Sequence, residues 1–170
     1  MFKASLGSTA KIITAIVGGL LCFFGMLFIF SFVISLLSGN FEKRDVMLPI
    51  LALGIFGVIV YTFRNQTKNY KITNEGISIS QRKGSHFIKR EDVIEIKSID
   101  YKSIKGSVRN FGIGGIFGFS GTFSNKEFGE MIWFVTRTDS LLMINTDKQK
   151  IVISPDDVEL FLTKSKEIIK

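Results

Sequence analysis

With 170 residues, the chain has room for one ordinary domain, or for a smaller one joined to a membrane anchor, and not for two large soluble units. Hydrophobic residues make up 46% and charged residues 22%, with 17 phenylalanines and only 2 prolines, which excludes a disordered chain. A single cysteine, Cys22, and a single histidine, His86, leave no internal disulfide, no Cys/His metal cluster and no histidine relay; the net charge of +7 is basic without being extreme.

Ile12 to Leu37 is an uncharged run of 26 residues carrying Phe23, Phe24, Phe28, Phe30 and Phe32. As a helix it measures about 39 Å, more than the roughly 30 Å hydrocarbon core of a bilayer. Val46 to Phe63 adds a second uncharged run of 18 residues, with Pro49 near its start, where the missing N–H costs least. Both runs read as transmembrane helices, because lipid leaves the backbone no other way to satisfy its hydrogen bonds. The first is about twice as long as a signal-peptide core and no A-x-A-like site follows it, so it reads as a retained anchor.

Ser38 to Asp45, with Gly39 and Asn40 as breakers, is short enough to impose an antiparallel hairpin of helices. Gly18, Gly19, Gly25, Gly54 and Gly57 are candidates for close helix contact. Lys3, Lys11, Arg64, Lys68, Lys71, Arg82 and Lys83 outnumber Lys43 and Arg44 of the connector, so the expected arrangement is a two-pass plasma-membrane protein with both termini cytoplasmic. Neither span holds Asp, Glu, Lys, Arg or His, which argues against a transporter or pump. The domains are read as 1–63, a helical hairpin with spans 12–37 and 46–63, and 64–170, a soluble unit.

In that soluble half, Tyr70 to Thr73 and Ile77 to Ser80 alternate about the turn Asn74-Glu75-Gly76 and form a predicted β-hairpin. Arg82-Lys83-Gly84 marks another turn, and His86 to Ile88 a short strand. Val93 to Ile99 follows with Val93, Glu95 and Lys97 on one side and Ile94 and Ile96 on the other. Met131 to Val135 is apolar on both faces, as in a strand covered on each side. Leu141 to Ile144 and Ile151 to Ile153 bring the count to about seven strands, the pattern of a sandwich or barrel. The period then changes: Ser154 is the expected N-cap, Pro155 the first helical residue, and Asp156 and Asp157 the charges at the positive end. Val158, Phe161, Leu162, Ser165, Ile168 and Ile169 share one face of this closing helix, 155–169.

Tyr70-Lys-Ile-Thr73, Asn74-Glu75-Gly76-Ile77, Arg109-Asn-Phe-Gly-Ile-Gly-Gly115, Trp133-Phe-Val-Thr136 and Ile153-Ser154-Pro155 with Asp157 and Phe161 together resemble the bacterial pleckstrin-homology-like domain family over roughly residues 64–169. The resemblance implies an α+β chain whose soluble part is a seven-stranded, strongly bent antiparallel barrel with a C-terminal helix, set beside transmembrane helices. It brings no catalytic, cofactor or metal residues.

Gly106 to Gly129 holds seven of the 16 glycines and five phenylalanines. Gly112-x-Gly114-Gly115-x-x-Gly118 is not a phosphate loop, since no amphipathic helix follows and no Gly-Lys-Ser/Thr closes it. The stretch reads either as core, with glycines allowing tight bends, or as a loop exposing Phe111, Ile113, Ile116, Phe117 and Phe119 to a partner or to the bilayer. Arg64, Lys68, Lys71, Arg82 and Lys83 are the candidate headgroup-facing cations, diluted by Glu75, Glu91, Asp92 and Glu95 nearby. No basic and aromatic stripe suits nucleic acid. The expected function is a noncatalytic, membrane-anchored protein-interaction module, with recognition of anionic lipid headgroups as the alternative and a membrane-associated enzyme as a remote third.

Overall fold

The structure, a computed structural model, describes residues 1–39 and 42–168, with the backbone alone at 43 and 44. Asn40, read above as a breaker, Ile169, read into the last helix, and the side chains of Lys43 and Arg44, counted for orientation, lie outside the described residues.

After a short N-terminal strand come two long helices, α1 (Ser8–Leu37) and α2 (Met47–Arg64), each long and apolar enough to cross a membrane. Their phenylalanines and aliphatic residues stand largely exposed, a surface that water does not tolerate and lipid does. Ser35, near the end of α1, donates to the Asp45 carboxylate just ahead of α2, which fixes the connector end of the pair. The glycines do not serve close helix contact as expected. A Cβ at Gly18, Gly19, Gly54 or Gly57 would meet nothing within 4 Å, and only at Gly25 would it reach the other helix, 3.8 Å from Ile55. Larger side chains, not glycine grooves, set the spacing of the two helices.

The remainder is a pair of packed sheets. One is ordered β1-β2-β3-β4, from β1 (Phe2–Lys3), β2 (Thr67–Thr73), β3 (Gly76–Gln81) and β4 (Gly84–Lys89). The other is ordered β5-β9-β10-β8-β7-β6, from β5 (Val93–Ile99), β6 (Val108–Gly115), β7 (Gly118–Asn125), β8 (Gly129–Val135), β9 (Leu141–Thr146) and β10 (Lys150–Ile153). A single turn, α3 (Tyr101–Ile104), links β5 to β6, and α4 (Val158–Ile168) ends the chain. The α+β class, the two leading helices and the closing helix are as the sequence indicates, but the two sheets are not closed into a barrel. Three strands exceed the expected seven: the glycine and phenylalanine stretch forms the β6–β7 hairpin, and the N-terminus supplies β1, which pairs with β2 as Phe2 with Tyr70.

The core explains which strands were legible. β8 puts Phe134 into the layer between the sheets and Met131, Trp133 and Val135 into a second cluster on its other face, so the run is apolar throughout. β9 and β10 divide in the same way. β5 departs from simple alternation because a bulge between Val93 and Glu95 makes Ile94 the extra residue. Val93 and Ile96 then both serve the inter-sheet core, while Ile94 is left exposed. Tyr70, fully buried, joins the sheets: its hydroxyl donates to the Phe134 carbonyl at 2.6 Å and accepts from the Ser154 N–H at 3.1 Å. Burial pushes the phenol pKa up to about 12, against the smaller opposing pull of the Ser154 hydrogen bond.

The last helix starts later than expected. Ser154 is a buried bracket, its hydroxyl accepting from the Thr136 N–H at 2.8 Å, and the cap is Asp157, whose carboxylate accepts from the Leu160 N–H at 2.9 Å. From there α4 touches β2 and β5, one strand of each sheet, and drives Phe161 into the core against the rings of Phe2 and Tyr70. A side chain so buried contributes about 1.5–3 kcal/mol.

Candidate functional site

α4 covers one open side of the sandwich. On the opposite side a cleft of about 390 Å³ opens between β4 and the β6–β7–β8 strands. His86 and Phe134 form its floor with their rings stacked at 5.4 Å, and Ile132 extends it. Ser85 of β4 stands on one wall, Phe111, Gly112, Ser120 and Gly121 on the other, and Tyr61 of α2 and Asn65 just after it at the base. Lys83 and His86 are the cationic or potentially cationic groups here, and the described lining holds no carboxylate. Partial burial lowers the His86 pKa below its ordinary value, which favours the neutral ring at pH 7.

β4 is the last strand of its sheet, so among the described residues its outer backbone edge has no strand partner. It carries no proline and no bulge, two common protections of a bare edge. Phe87, 47% exposed, stands on the face opposite His86 and Ile88.

The expected interaction residues do not lie on one loop. Phe111 projects from β6 at 72% exposure on the rim of the cleft, whereas Ile113 is buried and Phe119 packs on the Trp133 cluster. Ile116 and Phe117 form the β6–β7 turn. The Phe117 N–H donates to Thr14 Oγ1 of α1 at 2.8 Å, and its ring meets Phe63 of α2 edge to face at 5.4 Å. The glycines here are paired: Gly112 faces Gly121, and a Cβ on either would lie 2.2 Å from a carbonyl oxygen of the opposite strand. The segment is therefore neither plain core nor free loop but a hairpin whose tip is held by the helices.

Of the basic residues, Arg64, Arg82 and Lys83 come together at the end of α2. The Lys83 N–H donates to the Arg64 carbonyl at 2.9 Å, and the Arg82 guanidinium lies 4.0 Å over the Phe63 ring. Lys68, the second residue of β2, lies beside Ala4, and Lys71 lies three residues further along that strand, about 10 Å away. One contact set escaped sequence reasoning entirely. Ser5 donates through its N–H and its hydroxyl to Asp156, whose carboxylate also meets Arg137 at 3.3 Å. Burial works to raise the Asp156 pKa, yet Ser5 and Arg137 together outweigh it and hold the carboxyl below its ordinary range. Only the partnership across 151 residues shows this site, and no local pattern announces it.

Fold and site define a small two-sheet β domain, closed on one side by a helix and seated on the ends of two membrane-type helices. Residues 68–168 match the family model described as the bacterial PH domain, which is more than half the chain, and the chain belongs to that family. Neither the curated proteins nor the solved structures include a match to it.

Proposed function

We propose that the protein is a noncatalytic, two-pass plasma-membrane module, with both termini and the β domain cytoplasmic, that binds an extended segment of a protein partner along β4 and in the adjoining cleft. The observation that carries this reading is the bare outer edge of β4 running beside a cleft with an aromatic floor. Main-chain hydrogen bonds along such an edge supply affinity, and pockets for alternate side chains supply selectivity. Anchoring raises the effective concentration against other membrane proteins.

The gathering of Arg64, Arg82 and Lys83 at the end of α2 favours a second reading, recognition of anionic headgroups by that corner. Photocrosslinking in cells from probes at Phe87 and Phe111 of the full chain separates the two. The first reading expects protein adducts whose captured peptide is one continuous segment touched from both positions. Adducts to lipid alone refute it.

A further inference from the structure

The two walls of the cleft are fastened to the helix pair at different places. The β4 wall is tied to the end of α2 through the Lys83 N–H on the Arg64 carbonyl and the Gln81 amide on the Asn65 carbonyl at 2.6 Å. The β6–β7 wall is tied through its turn, which hydrogen-bonds α1 at Thr14, six residues or about 9 Å in from the start of that helix, and sets the Phe117 ring against Phe63 of α2 at 5.4 Å. There the Phe117 N–H holds the Thr14 hydroxyl, and Gly115 lies so close to Ile13 that an added Cβ would stand 2.9 Å from its side chain. Phe117 itself has φ +57°, a conformation a bulky residue adopts only where its surroundings impose it. At the base of the cleft, the amide of Gln81, the last residue of β3, also donates to Ser120 Oγ of β7 at 2.9 Å, a polar bridge between the walls.

We propose that the Gly115–Gly118 turn is a coupling element that makes the width of the cleft follow the packing of α1 against α2. Thr14 and Phe117 are its positioning residues. A displacement of α1 relative to α2 draws the β6–β7 wall along through the Thr14 hydrogen bond and the Ile13–Gly115 contact, at the cost of the Phe117–Phe63 ring contact with α2, while the β4 wall stays with α2; the Gln81–Ser120 bridge is the pivot. The functional weight of this coupling rests on the reading of the cleft as the partner site; the coupling itself is measurable without any partner.

The test uses the full chain in phospholipid nanodiscs, with Cys22→Ser and spin labels at Ser85→Cys and Asn110→Cys, one on each wall. Gly25→Leu adds bulk at the point where a Cβ on Gly25 would already touch Ile55 at 3.8 Å, and a second label pair, on α1 and α2, reads how far the helices separate. The expected result is a shift of about 1–2 Å or more between the walls on Gly25→Leu, lost when Thr14→Val is added. Trp133 emission reports whether the domain stays folded, and Thr14→Val keeps the side-chain shape while removing the acceptor. A wall distance that does not change while the helices separate, or a shift of equal size without the turn contacts, overturns the proposal. Either result leaves the crosslinking test of the partner site unaffected.

Discussion

Tyr70→Phe removes one oxygen from a fully buried site and nothing else. That oxygen serves a donor and an acceptor at once, the Ser154 N–H of the strand leading to α4 and the Phe134 carbonyl of β8. Losing both bonds leaves two buried backbone groups without partners, each worth about 1–3 kcal/mol. The expected destabilisation is therefore about 3 kcal/mol. For a domain of this size that lowers the melting temperature by about 10–20 °C. The assay is denaturant or thermal unfolding of the full chain in detergent, read through Trp133, the single tryptophan, which is stacked on Phe123 at 4.1 Å in the second core cluster.

A pH series sharpens the same experiment. The folded-state pKa of about 12 lies above the unfolded value near 10, so the native protein holds the phenolic proton more tightly. The associated stability is complete below pH 10 and is lost as pH rises from 10 through 12, on the order of 2–3 kcal/mol in all. Tyr70→Phe has no such component, so the difference between wild type and variant must shrink over that window. A loss below about 0.5 kcal/mol at neutral pH, or a difference that stays constant from pH 9 to 12, refutes the assigned role of the hydroxyl.

Two further perturbations test other parts of the fold. Gly121→Ala places a Cβ 2.2 Å from the Phe111 carbonyl at φ +132° and is expected to cost at least about 2 kcal/mol in the same unfolding assay; Gly129→Ala, with φ +70° but open space around it, is the milder control at about 1 kcal/mol. Acidification should free the N-terminal strand: Asp139, held low by its Arg137 partner, and Asp156, held low by Ser5 and Arg137 against its burial, contribute stability above their unfolded values near 3.8, and lose it as pH falls through the lower folded values. Hydrogen-exchange protection at residues 2–7, taken relative to the intrinsic rate at each pH, should fall below about pH 4 before protection in β8 to β10 does, and simultaneous loss of both would contradict the assignment.

What the sequence made legible follows physical range. The helices, the β2–β3 hairpin, β8 to β10 and the closing helix all announce themselves by local period, because one-sided or two-sided burial repeats every 3.6 or 2 residues. Where pairing is set by distant partners, the local signal fails. β1 is two residues long and exists because Tyr70 and Phe161 offer Phe2 a place to be buried. The glycines of β6 and β7 read as loop residues, yet they sit opposite one another in a hairpin that only small residues allow. Ser154 has the composition of a cap, but its hydroxyl is already engaged by the Thr136 N–H, so the role passes to Asp157. The same limit applies to the candidate site: Phe111 and Lys83 were marked by composition, but the cleft that joins them to His86 is a product of topology.

The attachment of the β domain to its helices bears on what a partner must be. Only Asn65 and Gln66 separate α2 from β2, and only Ala4 to Gly7 separate β1 from α1. Both connectors are themselves bonded: the Ala4 N–H to the Lys68 carbonyl, the Gly7 N–H to the Thr136 carbonyl and the Asn65 side chain to the Tyr61 carbonyl. A long flexible tether would let the domain sweep a volume and meet partners at any height above the bilayer. Two short, hydrogen-bonded connectors and the Thr14–Phe117 contact fix it instead, with Tyr61 of α2 at the foot of the cleft. On the proposed reading, β4 therefore offers its edge at one height and in one orientation, starting from the membrane surface. A partner that is itself membrane-bound, with an extended segment beginning within a few residues of its own span, meets that geometry with the least ordering cost, whereas a segment at the end of a long linker gains little from the shared membrane. Moving the segment outward by flexible Gly/Ser insertions in a captured partner should thus weaken capture progressively, and equal capture at every insertion length would show that the rigid seating of the domain has no part in recognition.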